Sequence, residues 1–345
     1  MKKLDAIVYV GRFQPFTNAH YKILKMALEK AKKVILFIGS ADRSRSFRDP
    51  WTAQERQDMI SSIKEFKDKN IVYIHQRNSN YKKSWWVKEV KRKVNKFTEQ
   101  NAKIGIIGFE KDASSYYLKL FPEWKFIKVH ELENGLSATE ERIHYFTNFY
   151  TTKREQNLPT EIIIWLTEWK CKFNGVYQYL VEEFKSILNY IDSWKQAPYK
   201  PTFVTADALC LCKDNILLVT RKNHPGKDLF AMPGGFLDQK ELIVDCCIRE
   251  LKEETHINVG SEIIKKSIKL YKYFDDPYRD PRGRGITHCY LIDLKSKKLP
   301  KIVGGDDACN AQWVPISSLN VYRNCFFDDH YQIIKNMLEK YRRLK

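Results

Sequence analysis

Short apolar runs and amphipathic stretches alternate along the first half of this chain. Residues 6–10, 34–39, 71–75, 104–109 and 126–129 are nearly unbroken apolar runs of strand length. Between them, residues 19–32 and 53–66 carry apolar side chains at helical spacing, with Thr52 placed to cap the second helix. Strands apolar on both faces and separated by helices predict an α/β domain with a doubly wound parallel sheet. Such sheets bind ligands at the carboxyl ends of their strands, near the point where the strand order reverses. From about residue 139 to 196 the pattern turns mostly helical, and its recurring Tyr, Trp, Phe and Leu read as packing. The stretch Gln196-Ala-Pro-Tyr-Lys-Pro-Thr202 holds two prolines and predicts an interdomain linker. Strands are expected next at 202–212 and 216–220, followed by a Gly/Pro-rich loop, a helix over 242–255 and further strands. The expected organisation is a first domain over 1–183, a helix end and linker over 184–201, and a second domain over 202–345.

Length supports that division, since 345 residues exceed one ordinary core. No apolar run reaches the length of a membrane span, and the N-terminus lacks the apolar core of a signal peptide. A cytoplasmic protein without membrane partners is expected. The eight cysteines include no C-x-x-C pair, so they read as reduced, small apolar residues rather than zinc ligands or disulfides. Lys and Arg number 60 against 42 acidic residues, a net charge of +18 that attracts polyanions, whether nucleic acid or small phosphate-rich substrates. The run Lys88, Lys91, Lys93 and Lys96 beside Trp85 and Trp86 predicts a solvated helix face.

The first chemical signal follows the first strand: Val10-Gly11-Arg12-Phe13-Gln14-Pro15-Phe16-Thr17-Asn18-Ala19-His20. It puts a glycine, an arginine, a hydroxyl and a histidine around a helix N-terminus, where free N–H groups and the helix dipole favour phosphate. Phosphoryl chemistry needs positioned donors that match charge developing on the phosphoryl oxygens. Two further stretches bear on it, Ser46-Phe47-Arg48-Asp49-Pro50-Trp51-Thr52 and Ser137-Ala138-Thr139-Glu140-Glu141-Arg142. Glu140 and Glu141 after Ser137 and Thr139 mark a helix start.

Together these segments resemble the signature of nucleotidyltransferases of the NMN adenylyltransferase type. Thr17 and Ala19 replace the family's more usual His and Gly. The resemblance implies a Rossmann-like fold and catalytic roles for Arg12, Thr17, His20 and Arg142. It also implies nucleotide contacts from Gly11, Phe13, Gln14, Arg48, Ser137 and Thr139, and an aromatic stack on nicotinamide from Trp86, with Trp85 as competitor.

The second signal is Gly235-x5-Glu241-x7-Arg249-Glu250-Leu251-x-Glu253-Glu254, preceded by Pro233-Gly234. Glu250, Glu253 and Glu254 stand at i, i+3 and i+4 and gather on one side of a helix. Val244, Cys247, Ile248 and Leu251 form a neighbouring apolar stripe that can dock on a sheet. Clustered carboxylates repel one another unless a cation lies among them, and hard oxygen ligands suit Mg²⁺, with Mn²⁺ as a substitute. Such an ion bridges a pyrophosphate and activates water. Arg249 can orient the acids, with Glu241 as its partner.

This pattern resembles the Nudix box, complete except that His256 stands where the box has Gly. The resemblance implies an α+β domain with a mixed sheet between helices. It makes Glu250 and Glu254 the main metal ligands, assisted by Glu253 and the Gly235 carbonyl, with Glu253 and Glu254 in catalysis. Arg282 and Arg284 would serve phosphate or ribose, and Asp306 and Asp307 lie where some members carry a loop acid or base. The two resemblances together imply a bifunctional enzyme of NAD metabolism. One domain would join NMN and ATP to give NAD; the other would cleave ADP-ribose. The expected partners are these small molecules, without nucleic acid, and a homo-oligomer is left open. Alternatives are a Nudix domain that senses ADP-ribose or acts on another nucleoside diphosphate, and adenylylation of FMN or pantetheine phosphate.

Overall fold

The computed structural model describes residues 3–78, 81–109, 117–129, 137–147 and 157–344. They form two compact units, residues 1–181 and 182–345.

In the first unit, β1 (Ala6–Gly11), β2 (Val34–Ile38), β3 (Ile71–His75), β4 (Ile104–Phe109) and β5 (Lys125–Val129) form a five-stranded sheet of order β3-β2-β1-β4-β5. Every pairing is parallel. The central strands are buried on both faces, which is why they read as unbroken apolar runs. The order reverses at β1, so the loop after β1 opens at the crevice where such sheets bind ligands. Helices α1 (Asn18–Lys30), α2 (Ala53–Ser61) and α3 (Lys83–Asn95) connect the strands.

Thr52 caps α2 as expected, in a reciprocal box with Glu55. The helix expected over 53–66 stops at Ser61, and a 3-10 turn, Lys64–Phe66, takes its place. The Ser62 hydroxyl takes the Met59 carbonyl at 2.7 Å, and extended backbone at Ile63 sends that side chain into the core. The Lys-rich face of α3 also differs from expectation at Lys93. Its Nζ donates to the His75 carbonyl at 3.1 Å and Gln76 Oε1 at 2.9 Å, so it ties α3 to the end of β3. α4 (Ala138–Thr147), α5 (Thr160–Lys172) and the first part of α6 (Asn174–Ser193) complete the unit. Trp51, fully buried, meets Tyr145, Phe146 and Trp169, so these three aromatics of the helical stretch are packing.

The division between the units falls within α6, ahead of the proline-bearing stretch before Thr202. The second unit holds a seven-stranded mixed sheet. Its strands are β6 (Thr202–Cys212), β7 (Asn215–Arg221), β8 (Phe230–Ala231), β9 (Gly234–Phe236), β10 (Ile268–Phe274), β11 (Arg284–Asp293) and β12 (Ala308–Pro315). The main order is β10-β11-β6-β7-β12, with β8 on β7 and β9 on β6. Only β6 and β11 run parallel. Lys213 and Asp214, both at positive φ, form the two-residue turn that joins β6 to β7.

β6 and β7 pair only near this turn, then separate to take β9 and β8 as partners. α7 (Ile243–Thr255) lays Cys246, Cys247, Ile248 and Leu251 against β6 residues Ala206, Ala208, Cys210 and Cys212. The buried cysteines are free thiols that act as small apolar residues. α8 (Ser261–Lys266) and α9 (His330–Arg342) complete the unit. No described helix is long and apolar enough to cross a membrane.

Candidate active sites

The first site forms where β1 ends. A Cβ on Gly11 would lie 2.5 Å from the Phe13 ring, so glycine is required for that ring to fold back over the strand. Phe13, buried and at φ +54°, packs on Tyr9, Phe16 and His20. His20 reaches back to the start of its own helix, where Nδ1 accepts the Thr17 backbone N–H at 3.0 Å and lies 3.0 Å from the Thr17 hydroxyl. Burial lowers its pKa to about 4. The imidazole is therefore neutral near pH 7, and with Nδ1 as acceptor its proton sits on Nε2.

Five arginines lie around this loop: Arg12, Arg43, Arg48, Arg56 and Arg142. Arg142, buried at the start of α4, donates to the Gln14 carbonyl at 2.7 Å, the Ala138 carbonyl at 3.3 Å and Thr139 Oγ1 at 3.2 Å. Its Nε has no hydrogen-bond partner among the described residues. Burial, then the charge of Arg12, pulls its pKa down to about 9, which leaves it charged at neutral pH. Arg12 is exposed and Arg48 half-buried. Asp49 is the acid that faces them. Burial opposes its charge, yet Arg12, Arg48, Arg43 and Arg56 outweigh it and hold the pKa low.

Arg56, at 1% exposure, donates to the carbonyls of Arg12 and Gly39 at 2.6 Å and of Thr52 at 3.2 Å. It pins the ends of β1 and β2 to α2, a role the sequence reading missed. The signal was an arginine on the face of α2 that also buries Met59 and Ile60.

Gln14 is buried, and its side chain is engaged by Trp51 and Asp49. Like that of Phe13, it braces the loop, and only the backbone of either residue is left to face a ligand. Ser137 precedes α4 and is half-buried. Trp86 packs on Phe121 and Tyr117, whereas Trp85 is 45% exposed.

The second site lies along α7. Arg249 is its hub, donating to Glu241 at 2.7 and 3.1 Å, to Glu250 and Glu253 at 2.8 Å each, and to the Phe236 carbonyl at 3.2 Å. The hydrogen bond from Arg249 pulls the Glu241 carboxyl to about 2. Glu254 is buried and accepts the Gly234 N–H at 3.0 Å; burial pushes its pKa up to about 8. Burial likewise raises Glu250.

Among the described residues no three acidic, His or Cys side chains converge as a ready metal cluster, because Arg249 draws Glu250 and Glu253 toward itself. The donor set still fits a hard cation, with two carboxylates held at an energetic cost in a low-dielectric site. A Cβ on Gly235 would lie 2.4 Å from Glu250 Oε1, so this backbone approaches the carboxylate as only glycine can. His256 caps α7 in the left-handed region, φ +41°. Gly305 packs against its ring and donates its N–H to the Glu254 carbonyl at 3.0 Å.

Of the expected cationic pair, Arg282 is half-buried. It binds Asp280 through Nε at 3.0 Å and Nη2 at 2.8 Å, with its guanidinium over the rings of Tyr190 and Phe236. Arg284 is half-exposed and donates to the Asp275 carbonyl at 2.6 Å. Asp306 is exposed; Asp307 accepts from Asn223 at 2.9 Å. Arg221, missed in the sequence, feels the charges of Arg282 and Glu254 and lies over the Phe327 ring, 4.3 Å from its centroid. It closes the apolar run of β7, where a charged residue reads as a strand end.

Residues 8–144 match the cytidylyltransferase-like family, and residues 201–337 the NUDIX domain family. A nicotinamide/nicotinic acid mononucleotide adenylyltransferase of Acinetobacter baylyi is 40% identical over 146 residues, 42% of this chain and 78% of that protein. An ADP-ribose pyrophosphatase of Methanocaldococcus jannaschii is 34% identical over 154 residues, 45% of this chain and 83% of that protein. A bifunctional NMN adenylyltransferase/ADP ribose pyrophosphatase of Francisella tularensis matches with TM-score 0.92 at 37% identity, covering 97% of this chain and 99% of that one. The chain belongs to the family of bifunctional NMN adenylyltransferase/ADP-ribose pyrophosphatases. In a second crystal structure, the Francisella member of this bifunctional family is complexed with AMP and a Mn ion (TM-score 0.90, 36% identity, covering 98% of this chain and 99% of that one). A divalent cation therefore accords with the carboxylates on α7.

Proposed function

We propose that the first unit joins NMN and ATP to give NAD and pyrophosphate, and that the second hydrolyses ADP-ribose to AMP and ribose 5-phosphate. The observation that carries the reading is Arg142: a buried cation whose Nε has no hydrogen-bond partner among the described residues, close to Arg12, Arg48 and the acid Asp49. Such a cluster of positive charge around a buried arginine calls for an anion, and the triphosphate of ATP supplies it. In adenylyl transfer an NMN phosphate oxygen attacks the α-phosphorus and pyrophosphate leaves. The chain's task is to hold the two phosphates in line and to match the developing charge. Neutral His20 offers Nε2–H to a phosphoryl oxygen, Thr17 fixes the ring, and Arg12, Arg48 and Arg142 hold the phosphates. The Gly11 and Gln14 backbone, Ser137 and Thr139 complete the nucleotide site, and Trp86 covers the nicotinamide.

In the second unit Glu250 and Glu254, assisted by Glu253 and the Gly235 carbonyl, would hold Mg²⁺, with Mn²⁺ as a substitute. Bound there, the ion would neutralise diphosphate charge and lower the pKa of water. Arg221 and Arg282 would orient the diphosphate, and Arg284 the outer phosphate or ribose. Free thiols and soluble substrates suit work in the cytoplasm.

A chromatographic assay of the purified chain with Mg²⁺ tests both halves, run with NMN plus ATP and separately with ADP-ribose. NAD is expected in the first, AMP plus ribose 5-phosphate in the second. His20→Ala should lower NAD formation about a hundredfold and leave hydrolysis intact. Glu254→Gln should abolish hydrolysis and leave NAD formation intact. A variant that reduces both activities equally would contradict separate sites.

A further inference from the structure

The NUDIX match begins at residue 201, yet the second compact unit begins at Glu182, so the C-terminal part of α6, from Glu182 on, belongs to the hydrolase unit. Glu183, Ser186 and Tyr190 stand at i, i+3 and i+7 and share one helix face. That face meets the hydrolase cleft on both sides. On one side buried Glu183 accepts the Gly226 N–H at 2.9 Å, and Ser186 donates to the His224 carbonyl at 3.4 Å. The 224–226 turn in between presents the Pro225 carbonyl to Arg221 Nε at 2.9 Å and so fixes that guanidinium. On the other side Tyr190 stacks on Phe236, ring centroids 6.1 Å apart and planes 13° apart, with the Arg282 guanidinium over both rings. Phe236 follows Gly235 directly, and its carbonyl accepts from Arg249.

We propose that the C-terminal part of α6, from Glu182 on, is a working part of the hydrolase site: Tyr190 and Glu183 are positioning residues that hold Arg282 and Arg221 to receive a diphosphate. The proposal rests on the hydrolase reading above. Asp280 occupies Nε and Nη2 of Arg282, and Nη1 has no hydrogen-bond partner among the described residues. The aromatic pair, with ring centroids 5.3 and 5.1 Å from Cζ, and Asp280 together confine the guanidinium, which leaves Nη1 for a phosphate oxygen. A side chain that acts this way contributes to substrate binding rather than to the chemical step, so its loss belongs in KM.

The test is steady-state ADP-ribose hydrolysis by the full chain with Mg²⁺. Tyr190→Ala should raise KM about tenfold with kcat within about twofold. Tyr190→Phe, which keeps the ring, should restore KM to within about twofold of the parent. NAD synthesis by the same preparations should be unchanged, which checks that each variant is folded and active. Should Tyr190→Ala fail to fold, Tyr190→Leu keeps the apolar cover without the flat ring and should show the same rise in KM. An unchanged KM in Tyr190→Ala or Tyr190→Leu would overturn the proposal. So would equal losses in the Phe and Ala variants, since the ring would then be irrelevant. A parent chain that forms NAD but leaves ADP-ribose intact would overturn the hydrolase reading itself, and the proposal with it.

Discussion

His256 shows how a single residue departs from its pattern while keeping the backbone conformation the pattern calls for. It stands where the box has glycine, and it adopts the left-handed conformation that glycine takes there without strain. The facing chain accommodates it: Gly305 leaves room for the ring, and a Cβ there would come within 2.3 Å of His256 Nε2. His256→Gly should therefore stabilise the second unit by about 1 kcal/mol. Calorimetry should show its unfolding midpoint rise by about 2–4 °C. A fall would mean that the ring's packing outweighs the backbone strain. His20 shows the opposite relation. Its type and position were plain in the sequence, but its protonation state was not, because that follows from burial beside Phe13 and Phe16 and from the Thr17 N–H.

Between elements, buried polar side chains do the joining. Arg56 on α2 gathers carbonyls from the ends of β1 and β2, and Glu55 one residue earlier gathers Arg45, Trp169 and the Thr52 N–H. Replacing Arg56 by Met would fill much of the volume but leave the Arg12 and Gly39 carbonyls without donors. The expected loss is about 3 kcal/mol, seen as an earlier first-unit transition in urea, with NAD synthesis reduced because the 11–14 loop loosens. An unshifted transition would show that water replaces the guanidinium at no cost. The Gly234-Gly235 pair acts similarly in the second unit, where any Cβ would collide with Asp207 or Glu250. The box glycine is thus a steric requirement of the carboxylate beside it.

Across the whole molecule, burial lowers the pKa of His20, His75, His224, His288 and His330. Each folded-state value lies below the unfolded one, so protons bind the unfolded chain first. The resulting stability is full above about pH 6.5 and is lost as pH falls toward the folded values, about 4 for His20. With saturating Mg²⁺, which would keep Glu250 and Glu254 ionised, the unfolding midpoint should drop between pH 7 and pH 5. A flat profile would show that these rings are hydrated in solution.

The sequence by itself determined the elements and the local chemistry. The strands over 71–75, 104–109 and 202–212 lie where the apolar pattern put them. The Thr52 cap and the Glu241–Arg249 partnership were equally legible. These features depend on backbone hydrogen bonding and side-chain spacing within a few residues. Tertiary structure decided what distant segments do together. It brought Arg142 onto the Gln14 carbonyl across 128 positions, turned the Gln14 side chain inward as a brace and gave Arg56 its carbonyls. It also placed the C-terminal part of α6 in the second unit, with Tyr190 stacked on Phe236. Such contacts are set by how packed layers bring charges and rings together, and no local periodicity encodes that.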